Sequence, residues 1–133
     1  MFEYNTTIKL FHTDAAGILF FGAIYTLAHE TVEAWMEKSG IPIKDILYKR
    51  DYLIPVVHSE SDLRHPLRVG DKICIRASIE HVGNSSFSTA YEFSNDAGEL
   101  LAKVKIVNVS ILKATGVKIP LPTELLEKLL KHS

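Results

Sequence analysis

The chain holds a single cysteine, Cys74, among 133 residues. That excludes an internal disulfide and fits a reducing cytoplasm. Charge of one sign is not in excess: the formal net charge is -1, so no global basic field exists to recruit nucleic acid. Long hydrophobic runs are absent too. The longest, Ala15 to Ile24, is interrupted by Gly17 and Gly22 and is too short to span a bilayer. The start, Met1-Phe2-Glu3-Tyr4-Asn5, lacks the basic region of a cleavable signal. His12, His29, His58, His65, His81 and His132 are scattered, with no metal-site spacing. What is present is ordinary globular material: 47% hydrophobic and 23% charged residues, in a length that suits one domain, 1–133, and not two.

Residues 3–11, with Tyr4, Thr6, Thr7, Ile8 and Phe11, read as a strand. A turn follows at Asp14 to Gly17. A helix over 22–39 is expected next, because Ile24, Leu27, Ala28, Thr31, Ala34 and Trp35 recur at three-and-four spacing while Glu30, Glu33 and Glu37 take the other side. Gly40 and Pro42 end it, and residues 43–50 suit a short second helix. Residues 53–64 look extended. Ile73, Ile75, Ala77 and Ile79 alternate with polar residues over 72–82, and Phe87, Thr89, Tyr91 and Phe93 line one face of the next strand. Asn95-Asp96-Ala97-Gly98 is a hairpin loop, residues 100–112 a last strand, and Leu125, Leu126, Leu129 and Leu130 mark a C-terminal helix. The expected fold is α+β: an antiparallel sheet of about five strands around one long helix, its last four strands joined by hairpins without crossovers. Long sheet edges call for cover, so a homo-oligomer is expected.

The stretch Phe11-His12-Thr13-Asp14-Ala15-Ala16-Gly17-Ile18-Leu19-Phe20-Phe21 stands apart. It puts one carboxylate in a short turn ahead of a helix whose first N–H groups are unpaired. A carboxylate beside free backbone donors suits hydrolysis of an activated acyl group. An Asp in that position is more often only a cap or an Asx turn; the whole motif is what argues for more. His12 as a strand-end residue, Trp35 and the Phe87/Tyr91/Phe93 row are read as structural, and Cys74, without an activating neighbour, as inert.

With that motif the chain resembles the hot-dog-fold acyl-CoA thioesterases, specifically the 4-hydroxybenzoyl-CoA thioesterase-like branch. The carrying residues are Thr13-Asp14-Ala15-Ala16-Gly17-Ile18-Leu19-Phe20-Phe21, supported by Pro55-Val56-Val57 and Arg68-Val69-Gly70-Asp71. The resemblance implies Asp14 as the catalytic carboxylate, acting as nucleophile or general base. It also implies the Phe21 backbone N–H, with that of Gly22 beside it, as the donor polarising the thioester carbonyl. Gly17, Phe20, His58, Ser59 and Arg64 are candidate substrate contacts. Arg64, Arg68, Lys72 and Lys113 are available to coenzyme A phosphates. No metal or separate cofactor is expected, coenzyme A being part of the substrate, and no nucleic-acid or membrane partner. The family implies a dimer with active sites at its interface, often paired again into a tetramer. The chain departs from the branch at Gly22-Ala23-Ile24, where many relatives carry Asn or His and then Tyr. It departs again at Gly83-Asn84-Ser85-Ser86, where the hydroxybenzoyl enzymes carry a basic cluster, so its grip on the nucleotide phosphates must differ or be weaker. The implied reaction is hydrolysis of an acyl-CoA thioester with an aromatic acyl group, hydroxybenzoyl- or dihydroxynaphthoyl-like, or a short-chain one. The rivals are hydration or dehydration of acyl thioesters on the same fold, and a non-catalytic acyl-CoA binding module.

Overall fold

The computed structural model describes residues 1–132. Its elements in order are β1 (Phe2–Thr7), a 3-10 turn (Leu10–His12), α1 (Ala23–Lys38), α2 (Ile43–Lys49), β2 (Tyr52–Leu53), β3 (Val56–Leu63), β4 (Lys72–Val82), β5 (Ser86–Asn95), β6 (Leu100–Val109), β7 (Ile111–Leu112) and α3 (Thr123–Lys131). Five strands form one antiparallel sheet in the order β1-β4-β5-β6-β3, and β2 pairs with β7 in a small ladder of its own.

The alternating segments behave as their period requires. Ile73, Ile75, Ala77 and Ile79 on β4, and Phe87, Thr89, Tyr91 and Phe93 on β5, are all buried on the face that receives α1. On the helix, Ile24, Leu27, Ala28, Thr31 and Trp35 are buried, joined by Met36, whereas Ala34 is only half-buried. The first half of α1 packs in a core with Ile75, Tyr91, Phe93 and Val104. Its second half, through Trp35 and Met36, packs against Ile46, Tyr52, Leu125 and Leu129 from α2, β2 and α3. The C-terminal helix is therefore a lid over the far end of α1. Its Glu124 accepts from Arg50 Nε at 2.8 Å, Arg50 Nη2 at 3.2 Å and the Tyr52 hydroxyl at 2.6 Å.

Several expectations need correction. The first strand stops at Thr7, not near residue 11, because the His12 Nδ1 accepts the Lys9 N–H at 2.9 Å and turns the chain out of the ladder. The last strand is split at Ser110, which is fully buried; its hydroxyl donates to the Ile119 carbonyl at 2.6 Å and takes the chain into the β2–β7 ladder. Glu30 is not on a wholly solvated side: the Tyr4 hydroxyl donates to it at 3.4 Å. The largest correction concerns connectivity. Only β4-β5-β6 is a hairpin meander. β3 pairs with β6 at the opposite edge from β4, so residues 64–71 cross over the end of the sheet. All eight residues of β3 are exposed, so period-two patterning could not tell where in the sheet it belongs.

Candidate functional site

The crossover is what holds the Asp14 loop. Thr13 and Leu19 form an antiparallel bridge, and the Asp14 N–H donates to the Ile18 carbonyl at 2.9 Å, closing a tight loop over 14–18. That loop is fastened to the crossover by the Leu19 N–H on the Leu67 carbonyl at 2.7 Å, the Val69 N–H on the Gly17 carbonyl at 3.2 Å, and an Ile18–Arg68 bridge. Leu19 and Leu67 are buried beneath it. Gly17 sits at φ +73, a left-handed conformation in which glycine avoids the Cβ clash. On the other side, the Phe20 N–H donates to the His12 carbonyl at 3.0 Å. His12 is itself buried, and burial holds its imidazole below the usual histidine range. It anchors both ends of the loop, a role its position at a strand end only hinted at.

Asp14 is exposed at the start of this loop. Its Oδ1 accepts the Ala16 N–H at 2.9 Å, an Asx turn. The duller reading of the residue is therefore true of one oxygen. Among the described residues nothing bonds the other, Oδ2. At the loop's far end α1 begins with short i→i−3 bonds: the Ala23 N–H to the Phe20 carbonyl at 2.8 Å, Ile24 to Phe21 at 3.4 Å, and Tyr25 to Gly22 at 3.3 Å. The Phe21 and Gly22 amides precede these and donate to no described group. No acidic side chain lies in the first turn of α1 to compete for the positive end of its dipole. The Phe20 and Phe21 rings lie 4.8 Å apart, tilted by 44°, and stand exposed. The Phe20 ring lies over Gly22, where an added Cβ would meet its Cε2 at 2.8 Å. In this conformation the space beside Gly22 is covered by that ring.

The other candidates are spread out. Arg64 joins Ile18, Leu19 and Leu67 around a cleft of about 180 Å³ on the crossover side of the loop, although its guanidinium pairs with Asp62 at 3.1 Å. His58 and Ser59 are neighbours on β3 and so point to opposite faces. The Tyr25 hydroxyl donates to Ser61 Oγ at 3.0 Å, which marks the Ser59–Ser61 face as the α1 side. His58 is on the outer face, 3.0 Å from Glu60. Lys113 is engaged elsewhere, donating to the Ile46 and Leu47 carbonyls at the end of α2. The Arg68 and Lys72 side chains have no partner among the described residues. A second cleft, of about 230 Å³, was not foreseen; His29, Val32 and Glu33 of α1 line it together with Ile54, Ile106 and Asn108. These residues come from three distant segments, and no local motif joins them.

A five-stranded sheet wrapped on one long helix, with an acid-bearing loop ahead of unsatisfied helix amides, defines a hot-dog-fold protein equipped for thioester chemistry. Residues 16–102 match the thioesterase superfamily. The chain is 35% identical to the 1,4-dihydroxy-2-naphthoyl-CoA hydrolase of Rippkaea orientalis, over 96% of this chain and 94% of that one. It is 36% identical to the enzyme of that name from Prochlorococcus marinus strain NATL2A, over 90% and 81%. Among solved structures, a 1,4-dihydroxy-2-naphthoyl-CoA thioesterase from Synechocystis superposes with a TM-score of 0.91 at 27% identity, covering 97% of this chain and 95% of that one. The chain belongs to the thioesterase superfamily, and it is a thioester hydrolase.

Proposed function

We propose that this protein hydrolyses 1,4-dihydroxy-2-naphthoyl-CoA, or a closely similar hydroxylated aromatic acyl-CoA, to the free acid and coenzyme A. The observation that carries the proposal is the divided role of Asp14: one oxygen is pinned by the Ala16 amide, the other is free, on a loop that ends at two unused amides. The full-length similarity to hydrolases of that substrate supports the acyl group. In this reading the thioester oxygen accepts from the Phe21 N–H, assisted by Gly22 and the dipole of α1. One such donor typically stabilises the transition state by ~3 kcal/mol. Asp14 acts on the carbonyl carbon by one of two routes. As a nucleophile its oxygen adds to the carbon, the C–S bond breaks, the thiolate leaves and is protonated, and water then cleaves the anhydride. As a base it takes a proton from water while the water oxygen attacks and the same bond breaks. Single turnover in ¹⁸O-water separates the two, because only the first can leave label in Asp14. Hydration chemistry lacks its histidine here, since Gly22-Ala23-Ile24-Tyr25 opens the helix.

The assembly in this proposal is a dimer, alone or paired into a tetramer, with the second copy along β3. That strand is hydrogen-bonded on one side only, exposes all eight residues, and carries Val56, Val57 and Leu63 among them. No helix among the described residues is long and apolar enough to cross a membrane, and the lone Cys74 suits a reducing, cytoplasmic compartment. The test is thiol release across a panel of CoA thioesters. Hydroxylated naphthoyl and benzoyl thioesters are expected to exceed acetyl- and butyryl-CoA in kcat/KM by at least about a hundredfold. Equal rates, or a preference for the short chains, would refute the assignment.

A further inference from the structure

A third cleft, of about 320 Å³, lies at the far end of α1 from the Asp14 loop. Phe2 and Trp35 wall it, with Lys38 on one side and Lys128, Lys131 and His132 on the other. At 1.5 Å per residue, Lys38 is about 26 Å along α1 from Phe21, too far to take part in the loop's chemistry. The volume is within the roughly 300–1,000 Å³ of small-molecule sites. Three lysines and a histidine meet here in a chain whose formal net charge is -1, and no carboxylate lines the cleft. Elsewhere Lys49 pairs with Asp45, Arg50 with Glu124, Arg64 with Asp62 and Arg76 with Glu3. Lys128 and Lys131 have no carboxylate partner among the described residues, and Lys38 has the Phe2 ring, 5.9 Å from its Nζ. Their field reaches His132: after burial, the Met1 ammonium, Lys131 and Lys128 hold its imidazole below the usual histidine range. Both α1 and α3 end here, and the carbonyl end of a helix attracts cations, but each end carries only about half an elementary charge. Much of the charge of three ammonium groups is left unbalanced.

Trp35 adds an independent observation. It is 5% exposed, and its Nε1–H is buried with no partner among the described residues. Buried donors in folded proteins are nearly always bonded. An oxygen acceptor in this cleft, or in the narrow cavity behind it that shares Phe2, Trp35 and His132, would satisfy this one. The walls are held in place: the His132 carbonyl accepts the Ile79 N–H at 3.2 Å, which fastens the lysine-bearing end of α3 to β4. Ammonium groups hold phosphate oxygens by short charge-assisted hydrogen bonds. We propose that this cleft is a second ligand site, separate from the hydrolytic one, which binds a compact soluble polyanion of the diphosphate class through Lys38, Lys128 and Lys131. A concave opening with cations on both sides suits a small ligand better than the flat surface of a bilayer. The proposal does not depend on the hydrolase reading above.

Trp35 is the only tryptophan, so its emission reports on the cleft directly. Inorganic pyrophosphate, titrated at a constant ionic strength of about 0.1 M, is expected to change that emission saturably, with the same Kd by calorimetry. The double variant Lys128→Gln, Lys131→Gln keeps good helix formers in α3 and should bind at least about tenfold more weakly. Its kcat and KM for a CoA thioester should match those of the wild type. Lys44→Gln, at an exposed lysine of α2 outside the cleft, should leave the Kd unchanged. Absence of saturable binding up to about 10 mM pyrophosphate would overturn the proposal. So would an equal loss of affinity in Lys44→Gln, which would reduce the effect to general charge. Capture on phosphatidylglycerol vesicles without pyrophosphate binding would overturn the soluble ligand, and a raised KM in the double variant would overturn the separation from the hydrolytic site.

Discussion

Gly17→Ala separates backbone demand from side-chain space at the centre of the Asp14 loop. At φ +73 an L-residue with a Cβ costs roughly 1–2 kcal/mol. A Cβ built there meets nothing within 4 Å, so no steric contact adds to that figure. Alanine also restricts the unfolded chain, which returns about 0.4–1 kcal/mol. The net effect is therefore a loss of up to about 1.6 kcal/mol, a fall in melting temperature of at most roughly 6 °C for a domain of this size. Asparagine tolerates the left-handed region better, so Gly17→Asn should recover part of the loss. Urea unfolding of the three proteins at one pH measures this directly. Gly17→Ala more stable than wild type, or Asn no better than Ala, would refute the reasoning.

Gly22→Ala should behave in the opposite way. Its backbone is helical, at φ -66 and ψ -27, so stability should hold or rise slightly. The new Cβ displaces the Phe20 ring, and kcat/KM should shift even though melting does not. Glu124→Gln weakens the grip of α3 on Arg50 and Tyr52. Because the carboxylate is 37% exposed, solvent screening limits the expected loss to about 0.5–1.5 kcal/mol by urea unfolding. Hydrogen bonds from Arg50, then Tyr52, hold the Glu124 carboxyl below its usual 4.5, so this contribution is intact above that pH and is lost as pH falls through the depressed value. Burial likewise lowers His12 below 6.5, and His132 with it. Both prefer to stay neutral in the fold, so stability should be full above about pH 6.5 and decline as pH falls from there towards the depressed values. His12→Gln should flatten part of that slope in unfolding free energy between pH 5 and 7; an unchanged slope would contradict the role given to burial.

How much of this was legible in the sequence follows from where the information lies. The α1 stripe and the alternation on β4 and β5 were legible because burial on one face imposes a period, and Ile24, Leu27, Ile75 and Phe93 all satisfy it. β3 was found as an extended segment but misplaced in the sheet, since it is exposed throughout and its pairing with β6 depends on a crossover that no local pattern announces. The early end of β1 turns on one imidazole accepting one amide, and the break at Ser110 on one buried hydroxyl. The Asp14 loop was readable because its residues are contiguous. The second cleft was not, because Glu33, Ile54 and Asn108 meet only through the tertiary fold.

The central claim is that the unbonded oxygen of Asp14 acts on a carbonyl held by the amides at the start of α1. Its most direct test is the kcat of Asp14→Asn with 1,4-dihydroxy-2-naphthoyl-CoA, followed by thiol release. Asparagine keeps the Oδ1 acceptor for the Ala16 amide, so the fold should persist while kcat falls by about 10²–10⁴. A folded Asp14→Asn protein turning over within a few-fold of wild type would contradict the account.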